Sequence, residues 1–296
     1  MQPNFFIRGN GVNGSNARGL SHNLWYDCPQ QAFTTGWTGG VFIDDDFESF
    51  PHITTPTITT VAAINGKLGY KAFGSSGATI LPVASKFDGE CQFVTAATDD
   101  HQVSMQTIQT PFRVSKLVGK FWGEARLKLG SIADTHDVMY FGMSESLTMT
   151  VIIPIVAAGG LSDHNHFGFL RTETASQGAQ LDTTYKANGV TAVVVKNNCL
   201  DTSLNLTGTG TALLVADTYM KLGFKFHPKD PFNNNKATLA FYVNGLRLPD
   251  VKEIPDNTGT DFPADVWMAP VIATKNAAAN ASTNTLDRWT FCQEDV

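Results

Sequence analysis

Apolar and polar residues alternate with a period of two in many short stretches of this chain. In GKFWGEARLKLG (119–130), Phe121, Ala125 and Leu127 fall on one face, while Glu124 and Lys128 fall on the other. Similar patterns occur at VFIDD (41–45), KLGYKAF (67–73), CQFVTAA (91–97), QVSMQTIQ (102–109), DVMYFGMSES (137–146), TMTVIIPIVA (148–157), HFGFLRTE (166–173), TAVVVKNN (191–198), VWMAPVIATKN (266–276) and LDRWTFCQ (286–293). No stretch shows three turns of helical periodicity, so the pattern predicts β-strands with one or two short helical turns at most.

The stretch from Met220 to Pro249 predicts three consecutive antiparallel strands. MKLGFKFH and ATLAFYV flank the polar loop PKDPFNNN, and the second strand ends at Asn244-Gly245. An Asn-Gly pair tolerates the positive φ angles of a type I′ turn, so we expect a two-residue hairpin there. About a dozen such strands, with no fixed repeat, predict one unit over residues 41–296 that consists of two packed antiparallel sheets.

Residues 1–40 show neither period and are rich in Gly and Asn. Such a segment cannot by itself bury enough apolar surface to offset its ordering entropy. It nevertheless carries Phe5, Phe6, Trp25 and Tyr26, which a solvated tail seldom exposes. We therefore predict an extended N-terminal arm that becomes ordered by docking on its own domain or on a neighbouring molecule.

The predicted meander resembles part of the concanavalin A-like and laminin-G-like jelly rolls. The resemblance rests on YMKLGFKF (219–226) and FYVNG (241–245), and on the similarity of DDDFESF (44–50) and LDRWTFCQ (286–293) to the first and last strands of that fold. It implies an all-β, antiparallel two-sheet jelly-roll sandwich. Proteins of this class often bind calcium or sugar through loops at one rim, and this sequence holds no clear copy of such a loop.

The overall style of the chain also resembles virion proteins of tailed bacteriophages. These features are a Gly- and Asn-rich arm ahead of a sandwich, abundant Thr and Ala, and a charged fraction of only 16%. Capsid decoration (cement) proteins and tail or fibre proteins of such phages use sandwiches of this kind. The resemblance implies a virion protein made in the host cytoplasm.

Charge and hydropathy narrow the possible partners. The net charge of −6 and the scattered Lys and Arg residues give no basic field for a nucleic-acid backbone, so we expect no nucleic-acid partner. The longest apolar run, MTVIIPIVAAGG (149–160), is too short to cross a bilayer, and the N-terminus has no signal-peptide core, so we expect no membrane association. Four widely spaced cysteines are interpreted as buried free thiols: Cys28, Cys91, Cys199 and Cys292.

Two groups of residues are candidate metal ligands. Asp44, Asp45, Asp46 and Glu48 offer the oxygen ligands that calcium requires, but they lack the glycine and glutamate spacing of an EF-hand, and we interpret them as a solvated turn at a strand end. The second group could bind zinc, although histidines at a polar strand start are usually hydrogen-bonded surface groups. It comprises His164 and His166, with Asp163 or with His136 and Asp137. We expect neither a metal nor another cofactor.

The evidence for catalysis is weaker still. Glu124, Glu145 and Glu173 could supply a carboxylate pair for glycoside cleavage, but no Glu-x-Asp-x-x-Glu or Gly-x-Ser-x-Gly signature occurs, so we predict that the chain is not an enzyme. Most tryptophans of a sandwich belong to its core, and the residues considered for sugar stacking are Trp37, Trp122, Trp267 and Trp289. We expect Trp122, opposite Phe121, to reach a surface or an interface.

These observations favour a structural virion protein, a capsid decoration protein that contacts the major capsid protein and forms homo-oligomers. The residues predicted to bind the partner are Phe5, Phe6, Arg8, Arg18, Trp25, Tyr26 and Trp122. The alternative is a carbohydrate-binding module of a phage tail or fibre, which would bind glycan through loops such as 157–166 and 229–236.

Overall fold

The structure is a computed structural model. It describes residues 19–36, 39–48, 50, 53–54, 59–61, 69–83, 89–133, 137–145, 155, 161–172, 180–196, 198–200, 214–254 and 261–295. Phe5, Phe6, Arg8, Arg18, Trp37, His136 and Glu173 lie outside the described residues, as does the predicted strand TMTVIIPIVA apart from Ile155, which forms a single β-bridge with Leu161.

Strands make up most of the described chain. Two short helices come first, α1 (His22–Trp25) and α2 (Gln30–Thr35). The strands that follow are β1 (Gly40–Asp45), β2 (Ile53–Thr54), β3 (Thr59–Val61), β4 (Tyr70–Gly74), β5 (Thr79–Pro82), β6 (Cys91–Val94), β7 (Gln102–Thr107), β8 (Phe112–Arg113), β9 (Phe121–Lys128), β10 (Asp137–Glu145), β11 (His166–Arg171), β12 (Asp182–Lys186), β13 (Val193–Lys196), β14 (Met220–Asp230), β15 (Lys236–Val243), β16 (Leu246–Glu253), β17 (Trp267–Asn276) and β18 (Thr283–Glu294). A 3-10 turn, Pro231–Asn233, joins β14 to β15.

The strands form two antiparallel sheets. Sheet 1 has the order β16-β15-β14-β9-β18-β6-β5-β2, with β1 paired to β18 beyond the end of β6. Sheet 2 has the order β13-β12-β11-β10-β17-β7-β4-β3, with β8 also paired to β17. Strands distant in sequence are therefore neighbours, as β9 and β18 are.

The two sheets pack face to face around an aromatic core. Phe167 of β11 meets Phe224 of β14 with ring centroids 5.3 Å apart, and Phe169 of β11 meets Phe241 of β15 at 5.5 Å. Both contacts join sheet 2 to sheet 1, and edge-to-face geometry is the arrangement that aromatic quadrupoles favour. The prediction of an all-β, two-sheet antiparallel sandwich is confirmed.

The hairpin predicted at Asn244-Gly245 is confirmed. Asn244 has φ 50° and Gly245 has φ 79°, so both central residues are left-handed, as a type I′ turn requires. β14, β15 and β16 are consecutive neighbours in sheet 1 and form the predicted meander. In β9, Phe121, Ala125 and Leu127 face the core as the alternation predicts.

The described part of the N-terminal segment differs from the predicted extended arm. Residues 22–25 and 30–35 are helical, and the segment lies on the outer face of sheet 1. A chain that crosses a sheet face cannot share the ladder hydrogen bonds, so short helical turns pair its backbone groups locally. We call residues 19–36 the arm helices. Among the described residues, no helix has the length and apolar character needed to cross a membrane.

Candidate functional site: a groove between the arm helices and sheet 1

The arm helices cover an apolar patch on the outer face of sheet 1. Leu24 and Trp25 are buried there against Trp122 of β9, Ala240 and Tyr242 of β15 and Cys292 of β18. Gly223 of β14 permits this close approach, because a Cβ atom on it would lie 2.6 Å from Cδ2 of Leu24. The expectation that Trp122 reaches an exposed surface is therefore wrong, since the arm helices bury it completely.

A single carboxylate fastens the arm helices to the sheet. Asp27 accepts hydrogen bonds from Lys225 Nζ at 2.6 Å, from Lys120 Nζ at 3.1 Å and from Trp122 Nε1 at 3.1 Å. Burial alone would raise the pKa of Asp27, but the two lysines outweigh burial and hold the pKa below its usual value. Asp27 is therefore an anion that neutralises cations on the sheet face.

A second polar contact lies at the other end of α1. The backbone N–H of Ser21 donates to Glu124 Oε1 at 3.1 Å, and Glu124 is buried on the outer face of β9. Burial raises the pKa of Glu124, and Lys221 partly offsets that effect. Glu124 therefore holds the arm, and its carboxylate is committed to a structural contact.

A groove with a volume of about 360 Å³ opens where α1 meets the β14–β15–β16 meander. Its walls combine aromatic and charged side chains, among them Tyr26, Lys225, His227, Phe232, Tyr242 and Arg247. Tyr26 is 58% exposed and Phe232 is 77% exposed. Exposed aromatic side chains beside fixed polar groups are typical of a surface that binds a ligand with both an apolar face and a polar rim.

The polar side chains of the groove are held in place by their own partners. Asp230 Oδ2 accepts from Thr238 Oγ1 and from Arg247, both at 2.7 Å, and its Oδ1 accepts from the backbone N–H of Phe232 at 3.0 Å. The last bond caps the 3-10 turn that presents Phe232. The Arg247 guanidinium carbon lies 5.8 Å from the Phe232 ring centroid. The side chains at this end of the groove therefore form one connected cluster.

Two groups in the groove have defined donor directions. The backbone N–H of Lys229 donates to His227 Nδ1 at 3.1 Å, so the proton of the neutral imidazole lies on Nε2. Burial lowers the pKa of His227, with further lowering by Lys120 and Lys225, so the ring is mainly neutral at pH 7. Lys225 Nζ lies 4.8 Å from the Tyr26 ring centroid and bridges the arm helices to the sheet.

The candidate carboxylates for glycoside cleavage do not meet. Glu124 lies on the outer face of sheet 1, whereas Glu145 ends β10 in sheet 2. Glu145 accepts from His164 Nδ1 at 3.0 Å and from Asn165 Nδ2 at 2.8 Å, so it organises the loop before β11. These two residues cannot act on one glycosidic bond.

The candidate zinc ligands also diverge. His164 faces Glu145, His166 Nε2 lies 3.1 Å from Ser162 Oγ, and Asp163 accepts from the backbone N–H of Gly189 at 2.7 Å. Asp137 lies about 23 Å away along β10 at about 3.3 Å per residue. Within the described residues, no three His, Cys, Asp or Glu side chains are arranged to hold a metal ion.

The acidic cluster at the end of β1 is divided between two faces, as its alternation predicts. Asp44 lies outside and accepts from Arg288 Nε at 2.8 Å and from Thr290 Oγ1 at 2.7 Å. Asp45 is buried and accepts from the Tyr70 hydroxyl and the Phe47 backbone N–H. The expectation of a solvated turn is wrong for Asp45, because this carboxylate is buried and hydrogen-bonded.

Of the predicted partner-binding residues that the structure describes, Trp25 and Trp122 are buried and Tyr26 is exposed at the groove. Trp289 lies in the core and Trp267 is 53% exposed. The loop 229–236, named from the sequence as a glycan-binding loop, supplies Asp230, Pro231 and Phe232 to the groove. His227 and Arg247 were missed, because single polar residues on strands carry no signal of where they converge.

The comparisons with known proteins concern the fold. No protein-family model matches the chain, and no curated protein matches it. A protein of unknown function from Shewanella oneidensis MR-1 is similar to it with a TM-score of 0.52 and 12% identity, covering 90% of this chain and 94% of that one. Peanut lectin, solved with a nine-residue peptide, is similar with a TM-score of 0.52 and 12% identity over 87% of this chain and 99% of the lectin. The chain therefore has the concanavalin A-like jelly-roll fold that the sequence predicts.

Proposed function

We propose that this chain is a carbohydrate-binding protein and that the groove between the arm helices and sheet 1 is its glycan site. The observation that carries the proposal is the combination of the exposed rings of Tyr26 and Phe232 with the ordered polar groups of His227 and Arg247. A sugar ring has an apolar C–H face that stacks on an aromatic ring, and hydroxyl groups at its edge that exchange hydrogen bonds with polar side chains.

The size of the groove supports the proposal. Its volume of about 360 Å³ falls within the range of roughly 300–1,000 Å³ that small-ligand sites occupy. The polar cluster of Asp230, Thr238 and Arg247 is already ordered, so little side-chain entropy would be lost on binding. The similarity to peanut lectin concerns the fold alone, and the location of the site comes from the groove itself.

A glycan array with the full chain and two matched variants tests the proposal. Phe232→Ala removes an exposed ring from the groove, and Trp267→Ala removes an exposed ring that does not line the groove. We expect the wild type and Trp267→Ala to bind the same glycans, and Phe232→Ala to lose most of that binding while its melting temperature stays unchanged. Binding to no glycan, or equal binding by all three proteins, would refute the proposal.

Capsid decoration, homo-oligomer formation and a location in the virion stay predictions, and so does the absence of enzyme activity. The structure limits how the decoration hypothesis is tested, because removing residues 19–36 would uncover Trp122. Deletion of residues 1–18 retains the arm helices and removes Phe5, Phe6, Arg8 and Arg18. Loss of particle attachment by this truncated chain would support decoration, and retained attachment would oppose it.

A further inference from the structure

The groove has an imbalance between hydrogen-bond donors and acceptors, and this inference rests on the glycan site proposed above. The charged acceptors around the groove are already occupied. Asp230 accepts three hydrogen bonds, from Thr238, Phe232 and Arg247. Asp27, which lies beneath the groove, accepts three more, from Lys225, Lys120 and Trp122. Neither carboxylate has strong accepting capacity left for the hydroxyl groups of a ligand.

The charged donors, by contrast, keep capacity. Arg247 has five N–H groups, and its one described hydrogen bond uses a single one of them. Lys225 Nζ has three N–H groups, and its described hydrogen bond to Asp27 uses one. His227 accepts at Nδ1, so its Nε2–H is a donor. Arginine, lysine and neutral histidine thus line the groove with donors whose strongest partners would be negatively charged oxygens.

The charge balance has the same sign. Lys120, Lys225 and Arg247 bring three cations to the groove and its floor, against the two anions Asp27 and Asp230. This local excess of positive charge contrasts with the net charge of −6 of the whole chain. A partly enclosed surface with excess cations attracts an anionic ligand more strongly than the whole-chain charge suggests.

We infer that the groove takes an acidic saccharide, with its carboxylate or sulfate group received by Arg247, Lys225 and the Nε2–H of His227, and its ring stacked on Phe232 or Tyr26. Carboxylate and sulfate share the chemistry that this donor set recognises. The planar guanidinium of Arg247 favours a carboxylate, to which it can donate two parallel hydrogen bonds.

Matched pairs of ligands test the inference by isothermal titration calorimetry with the full chain. One pair is a galacturonic acid trisaccharide and its methyl ester, and the other is a sulfated galactose disaccharide and its unsulfated form. We expect the acidic member of at least one pair to bind about tenfold or more tightly, equivalent to about 1.4 kcal/mol. A preference in the first pair identifies carboxylate, and one in the second identifies sulfate.

Two variants with the same change in net charge assign the effect to the groove. Arg247→Gln should reduce the preference for the acidic ligand to less than about threefold, which is about 0.65 kcal/mol. Lys116→Gln, an exposed residue that does not line the groove, should retain the preference. A melting temperature within the wild-type range confirms that Arg247→Gln is folded, and if it is not, Arg247→Lys replaces it and should lose preference for the carboxylate.

The outcomes separate this inference from the proposed function. Equal or tighter binding of the neutral member, with binding still lost in Phe232→Ala, would overturn the acidic-saccharide inference and leave the glycan site standing. An acidic preference that survives Arg247→Gln would also overturn it. Binding of no ligand here and of no glycan on the array would overturn both.

Discussion

The carboxylate of Asp27 in the arm helices accepts a hydrogen bond of 3.1 Å from the indole N–H of Trp122 in the middle of sheet 1. The same carboxylate pairs with Lys120 and Lys225. One residue therefore joins the N-terminal segment to the sandwich and completes the buried polar surroundings of a tryptophan. The groove depends on this contact, because Tyr26 is the neighbour of Asp27 in the chain and forms one of its walls.

Asp27→Asn should loosen the arm helices. It removes the charge that partners Lys225, whose side chain is only 7% exposed, and an unpaired buried cation is strongly destabilising. We expect a loss of about 2 kcal/mol in the free energy of unfolding. Hydrogen exchange at residues 20–36 should become faster in the same variant.

Glu253→Gln is the matched control for Asp27→Asn. It breaks the pair of Lys236 and Glu253, which are about half exposed, and such surface pairs contribute no more than about 0.5 kcal/mol. Equal effects of the two substitutions on stability and on exchange at residues 20–36 would contradict the role assigned to Asp27.

His166 should make the protein sensitive to acid. Burial lowers the pKa of this imidazole to about 3 from 6.5, so below pH 6.5 the unfolded chain binds a proton that the native state does not. Its contribution to stability is therefore lost as the pH falls. Between pH 8 and pH 5 we expect this residue to cost about 2 kcal/mol in the free energy of unfolding.

Denaturant titrations at both pH values measure this effect in the wild type and in His166→Gln. The loss of stability between pH 8 and pH 5 should be about 2 kcal/mol smaller in the variant. His22→Gln, at an exposed position, serves as the control and should behave like the wild type. An unchanged pH dependence in His166→Gln would show that the buried imidazole is not the acid-sensitive group.

Asp137 should have the opposite effect. Burial raises the pKa of this carboxyl group to about 6 from 3.8, with Arg171 opposing the shift, so the native state holds a proton that the unfolded chain releases. Its contribution to stability is fully present below pH 3.8 and is lost as the pH rises through 6. Lowering the pH from 7.5 to 4.5 should stabilise the wild type relative to Asp137→Asn by about 2 kcal/mol.

Chemical denaturation of both proteins at the two pH values measures that difference, and groups common to both cancel. An independent check is the titration of the Asp137 carboxyl carbon by NMR. A midpoint near the ordinary value for aspartate, or a relative stability that does not change with pH, would contradict the prediction.

Gly245→Ala should weaken both the hairpin and the seating of the arm helices. Gly245 has φ 79°, and a Cβ atom on it would lie 2.9 Å from the Cβ atom of Ser21. We expect a loss of about 1–2 kcal/mol in the free energy of unfolding from the left-handed backbone and the close contact together. Gly189→Ala has a similar φ of 76° and open space around it, so it isolates the backbone cost.

Thermal unfolding compares these two glycine variants. Gly245→Ala should be the less stable of the two and should show faster hydrogen exchange around Ser21. Equal destabilisation, with exchange at residues 20–25 unchanged, would show that the contact between Ser21 and the hairpin contributes nothing.

Much of the sandwich can be derived from local patterns in the sequence. Alternation in 119–130 identifies β9 and its core face, and Asn244-Gly245 identifies the turn between β15 and β16. Alternation also separates Asp45 from Asp44. These features depend on the geometry of one strand or one turn, where each residue already contains the information needed.

Only the tertiary structure decides that Trp122 is buried, because its covering residues Leu24 and Trp25 come from a segment almost a hundred positions away. The same holds for the groove, which joins Tyr26 to His227, Phe232 and Arg247 across the docking of the arm helices and the order of three strands. Alternation assigns a side chain to a face of its own strand but does not tell whether a distant segment covers that face. That outcome depends on complementary shape and charge between remote parts of the chain, here Gly223 beneath Leu24 and Asp27 between Lys120 and Lys225.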